Sequence, residues 1–153
     1  MDRYELLKFI HVGVAMVWVG GATVIQFFAL RALWSGDPRR LATFARDVDW
    51  VGTRVFIPSS LVVVVVGFVL VWDGPWELGM TWVWLSLAIF AVSFVAGAGF
   101  FGPESKRVAA QIDAEGAESP AVQARIARLI KLTRIDLVLL FAIVFLMVVK
   151  PGV

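Results

Sequence analysis

Four stretches of this chain carry no charged residue: Phe9–Leu30, Val55–Trp72, Leu78–Pro103 and Leu137–Val149. A hydrocarbon core about 30 Å thick takes about 20 helical residues to cross. The first three stretches, of 22, 18 and 26 residues, are long enough to cross it. The fourth has 13 residues and covers about 20 Å by helix rise. Val62–Val66 has the composition of a strand, but an isolated strand in lipid leaves its backbone polar groups unpaired, so a helix is expected there too. With 60% hydrophobic and 17% charged residues, the chain lies well outside the range of soluble domains, whose apolar share is about 45–50%. The expectation is an all-α membrane protein, a bundle of four transmembrane helices.

The basic residues orient the bundle. Arg31, Arg39, Arg40, Arg46 and Arg54 lie between the first and second apolar runs, and Lys106, Arg107, Arg125, Arg128, Lys131 and Arg134 between the third and fourth. The turn from Asp73 to Thr81 has none, and only Arg3, Lys8 and Lys150 remain for the other side. Short loops rich in Lys and Arg stay cytoplasmic, which puts both termini outside, and Trp72, Trp76, Trp82 and Trp84 form an aromatic belt around the outer turn. A cleaved signal peptide is the competing account of the N-terminus. Asp2 and Glu5 are wrong for its basic region, and the first uncharged run exceeds the usual apolar segment.

The connections between spans read as helix. Asp37–Pro38 is an N-cap and first-turn pair, followed by Leu41, Phe44, Ala45, Val48 and Val55 at helical spacing. Ser119–Pro120 repeats the signal, followed by Val122, Ile126, Leu129 and Ile130. The chain is expected to form one domain over residues 1–153, with spans at about 5–31, 55–73, 79–103 and 131–149 and amphipathic cytoplasmic helices at about 38–54 and 104–130.

Few residues can carry chemistry. There is no Cys and one His, which excludes thiolate ligands, iron–sulfur centres and an intrachain bis-His site. The run from Gly97 to Pro103 lacks the Lys and Ser/Thr of a phosphate loop. The basic segments fit retention inside and contact with anionic headgroups, with no nucleic-acid partner. His11, about one turn inside the outer end of the first span, is either an interfacial side chain held by water or a haem ligand or proton acceptor. Trp18 stands on the same face, and Gly20 and Gly21 let a helix or a flat macrocycle approach the backbone. Met147 and Met80 are placed toward the same outer end, as packing filler or as a second axial ligand. Asp136 is expected in the inner leaflet, where an isolated carboxylate costs about 2.5–3.5 kcal/mol, so a structural ion pair with Arg54 or Arg134 is expected. Pro58, Ser59 and Ser60 mark a break near the start of the second span, open to a cavity or closed by hydroxyl bonds to the helix's own backbone.

The run from Lys8 to Gly21 resembles the first helix of small bacterial membrane proteins grouped with the copper-resistance D-like family and the membrane-bound, haem-associated protoporphyrinogen IX oxidases. Within that group the chain is most similar to an uncharacterised bacterial integral-membrane domain family with this four-helix layout. His11, Trp18, Gly20 and Gly21 match the His, Trp and Gly-pair spacing, Pro58 and Gly67 the Pro and Gly of the oxidases' second helix, and Lys150–Pro151 their terminal Lys-Pro. The resemblance implies haem b or porphyrin binding, with His11 as the metal ligand and Trp18, Gly20 and Gly21 as pocket walls. It also implies residence in the bacterial cytoplasmic membrane. Phe27, Ser86 and Gly97 stand where the oxidases carry Arg, Lys and His, which removes groups that would bind porphyrin carboxylates. The alternative is a non-catalytic accessory or structural subunit without cofactor. The partners expected are the lipid bilayer and either a second copy or a membrane complex.

Overall fold

The computed structural model describes residues 2–152. It is helical throughout: α1 (Arg3–Trp34), α2 (Pro38–Val51), α3 (Ile57–Asp73), α4 (Thr81–Val95), α5 (Gly102–Glu115) and α6 (Pro120–Val149). Two π-helical segments, Gly52–Phe56 and Ala96–Phe101, join α2 to α3 and α4 to α5. Each pair is one continuous rod, so four helices of 30 to 36 residues are long and apolar enough to cross a membrane.

Local chemistry sets the helix ends. At the start of α1 the Asp2 carboxylate accepts from the Glu5 amide at 2.7 Å, and Glu5 accepts from the Asp2 amide at 3.1 Å. These reciprocal bonds pair donors that the first turn leaves free. Asp37 caps α2 by accepting from the Arg39 amide at 2.9 Å. Ser119 departs from the expected cap: its hydroxyl donates to Glu115 at 2.8 Å, and it makes no side-chain cap to α6.

Pro58 and Pro103 explain the π segments. Proline has no N–H and its ring clashes with the carbonyl four residues back. The ladder widens by one residue just ahead of each: Ile57 N–H reaches Gly52 O and Gly102 N–H reaches Gly97 O. The helix is therefore re-registered without a break. Ser60, buried beyond Pro58, bonds its own helix at Ile57 O, 2.8 Å away.

Packing divides the molecule into two ends. At the basic end, Ala29, Ala32, Leu41, Ala42, Val108 and Ile126 belong to one buried cluster built from α1, α2, α5 and α6. Gln26, itself buried, ties α1 to α6 by donating to Ile130 O at 3.4 Å. Ion pairs rim this layer: Arg46 with Asp113, and Arg125 with Glu104 through contacts of 2.5 and 3.1 Å. At the end that carries both termini the buried apolar cluster is smaller, Trp82, Val83 and Leu146 with partly buried neighbours. The outer surface of the rods is apolar, with Phe9, Phe27 and Trp72 all strongly exposed. That suits lipid and not water.

Glu104 lies just beyond the third apolar run. Its hydrogen bonds from Arg125, and secondarily from Arg107, hold its carboxyl below the usual range. The pair's stabilisation is therefore complete above the carboxyl's ordinary value of about 4.3 and is lost as pH falls through the lowered folded value. Glu104→Gln should cost about 1–2 kcal/mol at neutral pH and flatten the acid limb of Tm against pH in detergent. An unchanged acid limb would remove Glu104 from that role.

Candidate functional site: a cleft at the termini end

The thin packing at the termini end leaves a cleft of about 710 Å³ among α1, α3, α4 and α6. It runs along α1 from Tyr4 and Lys8, past His11 and Trp18, to Gly20 and Thr23. From Lys8 to Gly20 the helix rises about 18 Å, more than half of a ~30 Å core. The walls are almost wholly apolar, including Val63, Phe68, Phe90, Leu140 and Met147.

His11 is the main polar interruption. Its Nδ1 is buried and has no hydrogen-bond partner. The ring packs on α3 at Gly67, where an added Cβ would lie 3.0 Å from His11 Cε1 and 3.5 Å from Nδ1. Glycine at 67 is what admits the imidazole between the two helices. Trp18, buried, meets Phe90 edge-on at 5.8 Å. Gly20 lines the cleft, and an added Cβ there would meet nothing within 4 Å.

At the mouth, Trp76 donates from Nε1 to the Tyr4 hydroxyl at 2.8 Å and meets Trp82 edge-on at 5.2 Å. Lys150 Nζ lies 4.0 Å from the centre of the Trp76 ring and 5.5 Å from that of Trp82.

The cleft thus gathers His11, Trp18, Gly20 and Met147, four of the residues singled out in the sequence. Gly21 is corrected. It faces the Phe56 ring, 3.0 Å from an added Cβ, and serves helix packing, not a pocket wall. Met80 packs in the Trp82 cluster.

The expected ion pair is also corrected. Among the described residues Asp136 pairs with neither Arg54 nor Arg134: its Oδ1 is buried without a hydrogen bond, and the polar side chain facing it is Ser93, whose Oγ is equally unpartnered. Arg134, two residues away on α6, is exposed, as positions i and i+2 point to different faces. Arg54 stacks 5.6 Å from the Trp50 ring. The sequence reading missed the mouth, because Trp76 and Trp82 are indistinguishable in sequence from the belt residues Trp72 and Trp84, which do face outward.

Among the described residues no three His, Cys, Asp or Glu side chains gather to hold a bare metal ion. What His11 can offer is one imidazole nitrogen, to a metal already held in a macrocycle or to a hydrogen-bonding ligand.

Fold and cleft together define an integral membrane protein with four helices long and apolar enough to span a membrane and a cavity among them. The family model described as "Predicted integral membrane protein (DUF2269)", a domain of unknown function, matches residues 5–151, and the chain belongs to that family. No curated protein and no solved structure matches it.

Two outcomes test this geometry. Gly67→Ala gains helix propensity but crowds His11, and should destabilise by about 1 kcal/mol net. In a His11→Ala background the same change should stabilise; a penalty persisting there would show that the imidazole is not what Gly67 accommodates. Asp136→Asn, which relieves a carboxylate without a counter-ion, should hold or raise Tm in detergent, while Arg54→Leu shifts it little. A loss of about 3–5 kcal/mol for Arg54→Leu, the size expected on breaking a buried pair, would restore the ion pair.

Proposed function

We propose that this protein is a membrane-embedded binding protein that holds haem b or a porphyrin in its cleft, with His11 as the ligand supplied by the chain. The observation that carries the reading is that His11, the one imidazole of the chain, lines an otherwise apolar cavity while its Nδ1 is packed away against Gly67. The rest of the lining fits a flat apolar macrocycle: Gly20 leaves the backbone approachable, Trp18 and Phe90 offer aromatic walls, and Met147 brings a thioether to the same cavity. When bound, haem b supplies one-electron chemistry. The chain's part is to hold it, exclude water and fix the imidazole. The charge asymmetry supports a cytoplasmic membrane location with the cleft opening to the outer side.

Chain purified in detergent from haem-replete cells should show a Soret band that His11→Ala abolishes. A band unchanged in that variant would overturn the ligand assignment. A flat baseline in the unaltered chain would overturn haem binding and favour the accessory-subunit alternative.

A further inference from the structure

The mouth of the cleft carries positive charge and hydrogen-bond donors that the apolar walls do not require. Lys150 ends α6 in the left-handed region at φ 49°, the one non-glycine residue among those described with positive φ. Such a conformation is uncommon outside Gly and Asn and is worth explaining. Here it carries the ammonium back over the Trp76 and Trp82 rings. Lys8 lies at the other side of the mouth, 5.9 Å from the Tyr4 ring. Neither lysine has an ion-pair partner among the described residues, although acids are close in sequence. Asp2 and Glu5 are spent on the cap of α1, and Asp73 pairs with Arg3 at 3.2 Å. Trp82, 5% exposed, lines the cleft beneath them, its Nε1 buried and without an acceptor. Trp76, by contrast, spends its own N–H on Tyr4.

Two cations without an ion-pair partner among the described residues therefore crown a deep apolar cavity, and no acidic side chain is among the described residues that line it. We infer that the mouth binds the anionic group, carboxylate or phosphate, of an amphiphile whose apolar body fills the cleft. Aromatic contact holds Lys150 in place before the anion arrives, so less side-chain freedom is lost on binding. At the edge of the hydrocarbon the effective dielectric is low, which strengthens the charge pairing. The inference rests on the cleft being a ligand site, but on neither iron nor His11.

The test uses the full chain in phosphatidylcholine nanodiscs, titrated with protoporphyrin IX and with its uncharged dimethyl ester, which keeps the apolar body, and read by quenching of tryptophan fluorescence. The acid should bind about tenfold more tightly than the ester. That preference should vanish in Lys150→Gln, weaken in Lys8→Gln, and survive in Arg39→Gln at the basic end. The ester titration doubles as the folding control for Lys150→Gln; if that variant binds neither probe, Lys8→Gln decides. Displacement of the acid by phosphatidylglycerol, but not by added phosphatidylcholine, upholds the inference and names a lipid phosphate as the source; tight acid binding without displacement upholds it with a carboxylate as the source. Equal affinity for acid and ester in the unaltered chain overturns the inference while leaving the cleft a ligand site. Saturable quenching by neither probe overturns both.

Discussion

The structure depends first on the rule that a backbone in lipid must satisfy its own hydrogen bonds. It makes every apolar run a helix, including the valines of α3 that would favour a strand in water. It also governs how the chain passes Pro58 and Pro103. A clean break there would expose carbonyls near the edge of the hydrocarbon. The i to i+5 bonds that end at Ile57 and Gly102 keep each helix continuous instead. As a result α2–α3 and α4–α5 are single rods that carry the membrane bundle directly into the packed layer at the basic end.

That layer gives the bundle its tight packing. Alanines at 29, 32 and 42 let helices approach closely, and β-branched residues at 108, 122, 126 and 130 fill the space between them. At the termini end the side chains are larger and a cleft remains among the helices, with Trp76, Trp82 and Lys150 at its mouth. A cavity of this size is costly when empty, because its walls forgo contact on one side. Keeping one end tight allows the other to stay open.

Spans, charge asymmetry and the amphipathic extensions were legible because each is a pattern along the sequence: uncharged length, basic clustering, or periodicity behind an Asp-Pro start. His11, Trp18 and Gly20 were legible as a face, since they recur along one helix. Relations between helices were not. Gly21 adjoins Gly20 but turns to Phe56, and nothing local distinguishes the two. Asp136 has Arg134 near it in sequence and Arg54 at the start of the second span as a second candidate, yet Arg134 lies on another face and Arg54 has a tryptophan to stack on. Ser119 occupies the capping position, but a nearby carboxylate takes its hydroxyl. In each case the outcome turned on which of two available partners lay at bonding distance, and spacing does not encode that.

The positions of the polar groups within the cleft also constrain what can occupy it. Lys8 and Lys150 stand at the mouth, and His11 follows Lys8 by three residues, about 4.5 Å deeper by helix rise. Beyond His11 the lining of α1 includes Ala15, Trp18, Val19 and Gly20, without a charged group. An occupant complementary to this order carries its anion at one edge and its coordinating or hydrogen-bonding centre close behind, with an apolar remainder reaching toward the middle of the bilayer. A ligand with charge at both ends would strand one of them against Phe90 and Leu140, where no polar partner offsets the loss of water. Polarity at one edge is therefore as strong a requirement on the ligand as its size.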